Sequence, residues 1–205
     1  MESSTGRPIP SEAEVIVVGA GAAGSVVAAR LTASSDSVLL IEAGPDLRAD
    51  PPEALRDGWR ITRELSWGDS AEAADGGEPT PVRRMRLVGG TSSLTRFAMR
   101  GAPGDFDEWE ALGNPGWGFD AVLPYFRRIE SDLEFGEAPW HGANGPIPVT
   151  RYPHLSATEP NEALSKAFEA GGFPAVEDHN RPGAVGVGRM PMTSRDGARV
   201  TSASA

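Results

Sequence analysis

The sequence predicts an α/β fold, built at its N-terminal end on a parallel strand–helix–strand unit. Three observations carry that expectation. Glu14-Val15-Ile16-Val17-Val18 is a β-branched apolar run without alternation, the pattern of a parallel strand covered on both faces. Gly19-Ala20-Gly21-Ala22-Ala23-Gly24 follows at once as a G-x-G-x-x-G loop. A second apolar run, Ser37-Val38-Leu39-Leu40-Ile41, ends in Glu42.

Each part of this unit has a separate physical reason. Gly19 permits the tight turn out of the first strand, Gly21 lets the backbone touch a pyrophosphate, and Gly24 lets the following helix approach the strand. That helix runs from Ser25 to Thr32 through Val26, Val27, Ala28, Ala29 and Leu31, small enough to pack closely on a sheet. Its N-terminus offers N–H groups and a partial positive charge to phosphates. Glu42 stands 18 positions beyond Gly24 (42 − 24), where a carboxylate accepts hydrogen bonds from ribose hydroxyls. A 2′-phosphate would meet a like charge there, so NADP is disfavoured. A lone G-x-G-x-x-G is a weak signal in a chain with 25 glycines. With both strands and the terminal acid in place, the unit is expected to bind the ADP part of a dinucleotide. The alternative is a βαβ unit with a glycine turn and no ligand.

Composition narrows the rest. The 205-residue chain is long enough to bury a core, and its net charge of −10 repels a polyanion, so no nucleic-acid role is expected. The absence of cysteine removes disulfides, thiolate metal sites and a cysteine nucleophile, and is compatible with a reducing cytoplasm. Residues 1–13 are polar, carry Pro8 and Pro10, and read as a short disordered lead rather than a signal peptide. No apolar stretch is long enough to span a bilayer.

Leu47 to Val82 is loop-rich, with Pro51-Pro52 and an acidic low-complexity stretch from Gly68 to Pro81 that reads as a solvated loop. Arg86-Leu87-Val88-Gly89-Gly90-Thr91-Ser92-Ser93 pairs two glycines with three hydroxyl residues. Such a loop is rich in accessible N–H groups and suits a second phosphate or a flavin edge, though alone it also describes an ordinary turn. Asp105 or Asp107 is placed to cap a short helix through Leu112, stopped by Gly113, with Trp109 as a core anchor. A helix after Asp120 sets Val122, Leu123, Phe126 and Ile129 on one face and Arg127 and Arg128 outward. Another runs from Thr158 through Ala163, Leu164, Ala167 and Phe168 to Gly171-Gly172, before strand-like pieces at 183–188 and 190–193.

Taken together, these segments resemble the N-terminal part of the glucose–methanol–choline (GMC) oxidoreductases. The resemblance rests on the glycine loop, Glu42-Ala43-Gly44-Pro45, Arg86 to Leu94, Arg100-Gly101 and Asp105-Phe106-Asp107-Glu108-Trp109. It continues through Gly116-Trp117, Leu123-Pro124-Tyr125-Phe126, His141-Gly142 with Gly145-Pro146, Gly172-Phe173-Pro174, Asp178-His179-Asn180, Gly186-Val187-Gly188 and Arg195 to Arg199 with Ser202. It implies a Rossmann-like FAD-binding domain over residues 14–150 and the start of an α+β substrate domain over 151–205, incomplete at its end. It also implies FAD as cofactor, held by Gly19, Ala20, Gly21, Ala22, Ala23, Gly24, Glu42, Ala43, Arg86, Val88, Gly89, Gly90, Thr91, Ser92 and Thr95. The implied reaction is oxidation of a small-molecule alcohol, a base taking the hydroxyl proton while hydride passes to flavin N5.

Two departures from the family pattern stand out. Thr95 takes the place of an asparagine or histidine, and Arg96 that of a small residue close to the flavin. The family's catalytic histidine also comes from a C-terminal segment that this sequence does not contain, so little turnover is expected from this chain alone. No base is assigned among His141, beside a glycine turn, His154, after Pro153, and His179, between Asp178 and Asn180. No histidine pair or carboxylate cluster has metal-ligand spacing, so no metal is expected, and no G-x-S-x-G elbow supports hydrolysis. Apolar sheet surface left uncovered is expected to drive self-association. A non-catalytic flavin-binding module or inactive relic, and an FAD-containing lyase of the same fold, remain the alternative readings.

Overall fold

The computed structural model describes residues 8–34, 37–57, 63–151 and 158–204. Residues 1–7 of the expected lead and His154 lie outside the described residues. The chain forms two compact units, Met1–Arg96 with Ala198–Ala205, and Phe97–Gly197.

The first unit opens with strand β1 (Val15–Val18), helix α1 (Ala22–Leu31) and strand β2 (Val38–Ile41). β1 and β2 pair in parallel, Val15 opposite Val38 and Val18 opposite Ile41, so the strand–helix–strand unit stands as expected. Val17 faces α1 at Gly24, which leaves Ile16 and Val18 on the opposite side. The expectation of a strand buried on both faces is corrected here. Ile16 is 56 % and Val18 81 % exposed, because α1 covers one face of a sheet that has only two strands among the described residues.

Helix α2 (Glu53–Asp57) and a 3-10 turn (Arg63–Leu65) follow. The stretch read as a solvated loop is exposed apart from the half-buried Asp69 and Gly77, yet it folds as an antiparallel hairpin of β3 (Ser70–Glu72) and β4 (Pro79–Pro81). Gly76 has a positive φ of 72° between the two strands, and an Arg84–Asp69 ion pair lies at the hairpin's base. Low complexity hid a ladder only three residues long. The unit is completed by a 3-10 turn (Gly90–Ser93) and a two-residue strand, Ala198–Arg199, and buries Ala20, Ala28, Met85 and Leu87.

In the second unit, α3 (Pro103–Ala111) starts at Ala102, and Asp105 closes the first turn by accepting the Ala102 N–H (2.7 Å). Asp107 instead accepts the Phe119 N–H (2.9 Å), at the start of α4 (Phe119–Ile129). Trp109 is not a core anchor. It is 49 % exposed and packs edge-on against Phe106 and Trp117, because α3 has no covering layer on that side among the described residues. α4 carries Val122, Leu123, Phe126 and Ile129 on its more buried side and Arg127 and Arg128 on its exposed side, as the periodicity requires.

The central sheet of this unit joins β5 (Glu130–Asp132) in parallel to β6 (Ile147–Thr150), which pairs antiparallel with β9 (Met192–Arg195). Between them lie α5 (Glu159–Ala170), ended by Gly171 and Gly172 as expected, and a parallel pair, β7 (Ala175–Val176) with β8 (Val187–Gly188). The sheet spans the residue at which the cofactor and substrate parts were expected to divide, because packing units and functional parts need not coincide. Among the described residues no helix is long and apolar enough to cross a membrane.

Candidate functional site

The site begins with the turn from β1 into α1. Gly19 takes φ = 96° and its N–H donates to the Ile41 carbonyl (2.7 Å), tying the turn to the end of β2. Gly24 is required by packing, since a Cβ there would fall inside the Gly19 carbonyl. Gly21 caps α1 with φ = −77°, a value open to any residue, and a Cβ there would meet no protein atom nearer than 3.9 Å. Protein packing therefore does not explain a glycine at 21, and the space in front of it is open. The first intrahelical bond runs from Ser25 N–H to the Gly21 carbonyl (2.9 Å), so helix geometry leaves the N–H groups of Ala22, Ala23 and Gly24 at the open end. Ala22 and Ala23 are both exposed.

The second loop packs against the first. Gly89 (φ = 98°) and Gly90 (φ = 53°) lead into the 3-10 turn, and Gly89 N–H donates to the Ala20 carbonyl (2.8 Å). A Cβ on Gly90 would stand 2.8 Å from Gly21 Cα, so the loops meet backbone to backbone. Val88 N–H donates to the Pro45 carbonyl (3.1 Å), and Thr91 Oγ1 accepts the Met85 N–H (3.3 Å). Ser92 Oγ donates back to the Gly89 carbonyl (2.6 Å).

Glu42 sits where the spacing placed it, at the exit of β2, and binds both loop ends. Its Oε2 accepts the Ala20 N–H (2.8 Å) and its Oε1 the Gly44 N–H (2.9 Å). Each oxygen keeps a second lone pair for a further donor. Ala43 is exposed beside it. The structure thus brings Gly19 to Gly24, Glu42, Ala43, Val88, Gly89, Gly90, Thr91 and Ser92 to one end of the two-stranded sheet. Two expected residues are disposed differently. The Arg86 guanidinium lies over the Trp67 ring (5.8 Å to the centroid), and Thr95 is exposed beyond the turn. Arg96 is buried and its Nη2 reaches the Arg56 carbonyl at 3.4 Å, next to α2.

The second unit holds a polar cluster that no sequence motif announced. His141, expected in a simple turn, is fully buried. Its Nδ1 lies 2.6 Å from Glu130 Oε1 and 3.2 Å from Asp132 Oδ2, and its Nε2 3.0 Å from Asp178 Oδ2. Arg100 pairs with Glu130 (2.6 Å), and Arg151 pairs with Asp132 and with Asp178 (3.0 Å). Burial disfavours the charged imidazole, but hydrogen bonds to Asp178 and Glu130 overcome this and push His141 up to about 9. Burial likewise favours neutral acids, yet His141 holds both the Glu130 and Asp178 carboxyls below the usual carboxylate range, with Arg100 acting on Glu130 as well. Both ring nitrogens therefore donate to ionised carboxylates and His141 is an imidazolium.

Glu130, Asp132 and His141 also stand close enough together to ligate an ion, a grouping the sequence spacing did not suggest. Their oxygens are already engaged. Glu130 accepts from His141, Gly142 N–H (3.0 Å) and Arg100, and Asp132 Oδ1 from Arg151 (2.7 Å), Glu134 N–H (3.0 Å) and Phe135 N–H (2.8 Å). A divalent ion would have to displace a guanidinium and a proton, so the cluster reads as a structural charge network.

Residues 13–205 match the family model described as GMC oxidoreductase. The chain is 40 % identical over 183 residues to 5-(hydroxymethyl)furfural oxidase of Methylovorus sp. (strain MP688), covering 82 % of this chain and 34 % of the relative. It superposes on pyridoxine 4-oxidase from Mesorbium loti with a TM-score of 0.85 at 35 % identity, covering 95 % of this chain and 39 % of that one. It superposes on formate oxidase of Aspergillus oryzae RIB40, a protein studied for modification of its FAD, with a TM-score of 0.77 at 28 % identity, covering 94 % and 36 %. The chain thus spans between 34 % and 39 % of the length of these relatives.

Proposed function

Because the chain belongs to the GMC oxidoreductase family, we propose that its first unit binds FAD as part of a flavin-dependent oxidoreductase acting on the CH–OH group of a small-molecule alcohol. The observation that carries this reading is the side-chain-free cradle where Gly21 meets Gly90, with the start of α1 on one side and Glu42 on the other. The N–H groups of Ala22, Ala23 and Gly24 and the Gly89–Ser92 turn face the pyrophosphate, with Ala20 and Val88 shaping the loops behind them. Glu42 accepts the ribose hydroxyls through its remaining lone pairs, beside Ala43. Arg86 and Thr95 flank the second loop. When bound, FAD supplies the hydride acceptor for the alcohol carbon. No side chain here is assigned as the base, and both nitrogens of His141 are committed to carboxylates.

Binding competition tests this reading. FAD and ADP are expected to bind the chain and to compete with each other. NADP is expected to bind more weakly by tenfold or more, about 1.4 kcal/mol, because its 2′-phosphate meets Glu42. Equal affinity for NADP, or no competition between ADP and FAD, would contradict it. The alcohol partner and a cytoplasmic location belong to the same proposal, the latter supported by the cysteine-free composition.

The exposed Ile16–Val18 face supports a second element of the reading, self-association of this chain through its sheet. Ile16→Lys is expected to shift the sedimentation of the chain at micromolar concentration towards monomer. Unchanged sedimentation would place the association elsewhere or remove it.

A further inference from the structure

We infer that Arg199 and Ser202 are positioning residues, which hold the Gly89–Ser93 loop in its cofactor-binding shape from a segment more than a hundred residues downstream. The inference rests on FAD as the ligand of that loop. Ser202 Oγ lies 2.9 Å from Ser92 Oγ and 3.2 Å from the Gly89 carbonyl, and the Ser202 N–H donates to Ser92 Oγ (3.3 Å). Arg199, itself buried, donates through Nη1 to the Ser93 carbonyl. Ala203 backs the loop at Gly89, where an added Cβ would stand 3.0 Å from the Ala203 methyl. One short segment therefore fixes both ends of the turn.

The loop needs such a brace. Gly89 and Gly90 are consecutive left-handed glycines, and glycine loses more backbone freedom on ordering than any other residue. Ser92 ties the turn to itself through the Gly89 carbonyl, but that bond travels with the loop and fixes it to nothing. Arg199 and Ser202 attach its carbonyls to the rest of the unit, and in a helical turn the N–H groups point to the opposite end. Without the brace, the binding-competent shape becomes a fraction of the loop's population, and affinity falls by that fraction.

The test is Ser202→Ala in the full chain, with Ser202→Thr as the variant that keeps the hydroxyl. Two readouts are taken. One is amide hydrogen exchange of residues 87–95 without flavin. The other is FAD affinity from quenching of flavin fluorescence. In Ser202→Ala, exchange of the loop amides is expected to quicken and FAD to bind about fivefold more weakly, the equivalent of one net hydrogen bond. Amides of β1 and β2 should stay unchanged, and Ser202→Thr should restore both readouts. Unchanged loop exchange, or unchanged FAD affinity in the variant of a wild type that binds FAD, overturns the positioning role. A wild-type chain that does not bind FAD, with loop exchange still quickened in the variant, overturns the flavin reading and the cofactor role of this brace with it.

Discussion

Gly21→Ala is expected to leave the flavin-free chain folded as before while weakening FAD binding roughly 10- to 100-fold. The two halves of that result have separate causes. A methyl at position 21 meets protein only at an unstrained 3.9 Å from Gly90 Cα, and the backbone there is in a region open to alanine. The fold therefore has nothing to lose. The same methyl projects into the space assigned to the pyrophosphate, and forcing a group into a filled space costs about 1–3 kcal/mol, a range that brackets that fold-change in affinity. Gly24→Ala provides the contrast. Its Cβ collides with the Gly19 carbonyl, so α1 must back away from β1 and melting should fall even without flavin. Thermal melts and FAD titrations of both variants separate a glycine kept for a ligand from one kept for packing. A Gly21→Ala chain that binds FAD like wild type would remove the cradle from the account.

His141→Leu is expected to destabilise the second unit by about 3–5 kcal/mol, the cost of breaking a buried ion network by removing one partner. The charge of three buried carboxylates, Glu130, Asp132 and Asp178, would then be balanced by the two guanidinium groups of Arg100 and Arg151, with Glu134 adding negative charge at the rim. Against a total of roughly 5–15 kcal/mol, that loss lowers the urea midpoint sharply or abolishes folding. The wild type should show the same network through pH. His141 is raised from 6.5 to about 9 in the folded chain, so its contribution is complete below about 6.5 and is lost as pH rises through about 9. Glu130 and Asp178 are lowered, so theirs is present above their ordinary values and is lost in acid. Stability should therefore decline between pH 6.5 and 9, and a titration of the His141 ring by NMR should place its midpoint well above that of an exposed histidine. A neutral ring at pH 7, or a flat stability profile between those limits, would contradict the assignment.

The two halves of the molecule were unequally legible in the sequence, for a physical reason. Gly19 to Gly24 and Glu42 belong to one local unit, where each residue type answers to a turn, a close approach or a lone pair fixed by chain geometry. Spacing alone therefore placed Glu42 at the loop, although its bonds to Ala20 and Gly44 were not foreseen. Trp109 failed because burial depends on what else covers a helix, which periodicity does not report. Val18 failed likewise, since a β-branched run looks the same whether one face or two are covered. The His141 network draws on residues 100, 130, 132, 141, 151 and 178, whose proximity arises only when β5, β6 and the loops around them assemble. No local pattern marks it, since His141 stands between Trp140 and Gly142 in a stretch no richer in charge than the chain as a whole.

The central claim is that the paired glycine loops hold FAD, and the most direct measurement is an absorption and fluorescence titration of the purified, desalted chain with FAD. Saturable binding is expected, with shifted flavin bands and quenched flavin emission that survive gel filtration. Flavin that elutes wholly free of the chain, with the spectrum of FAD in water at every ratio, would contradict it.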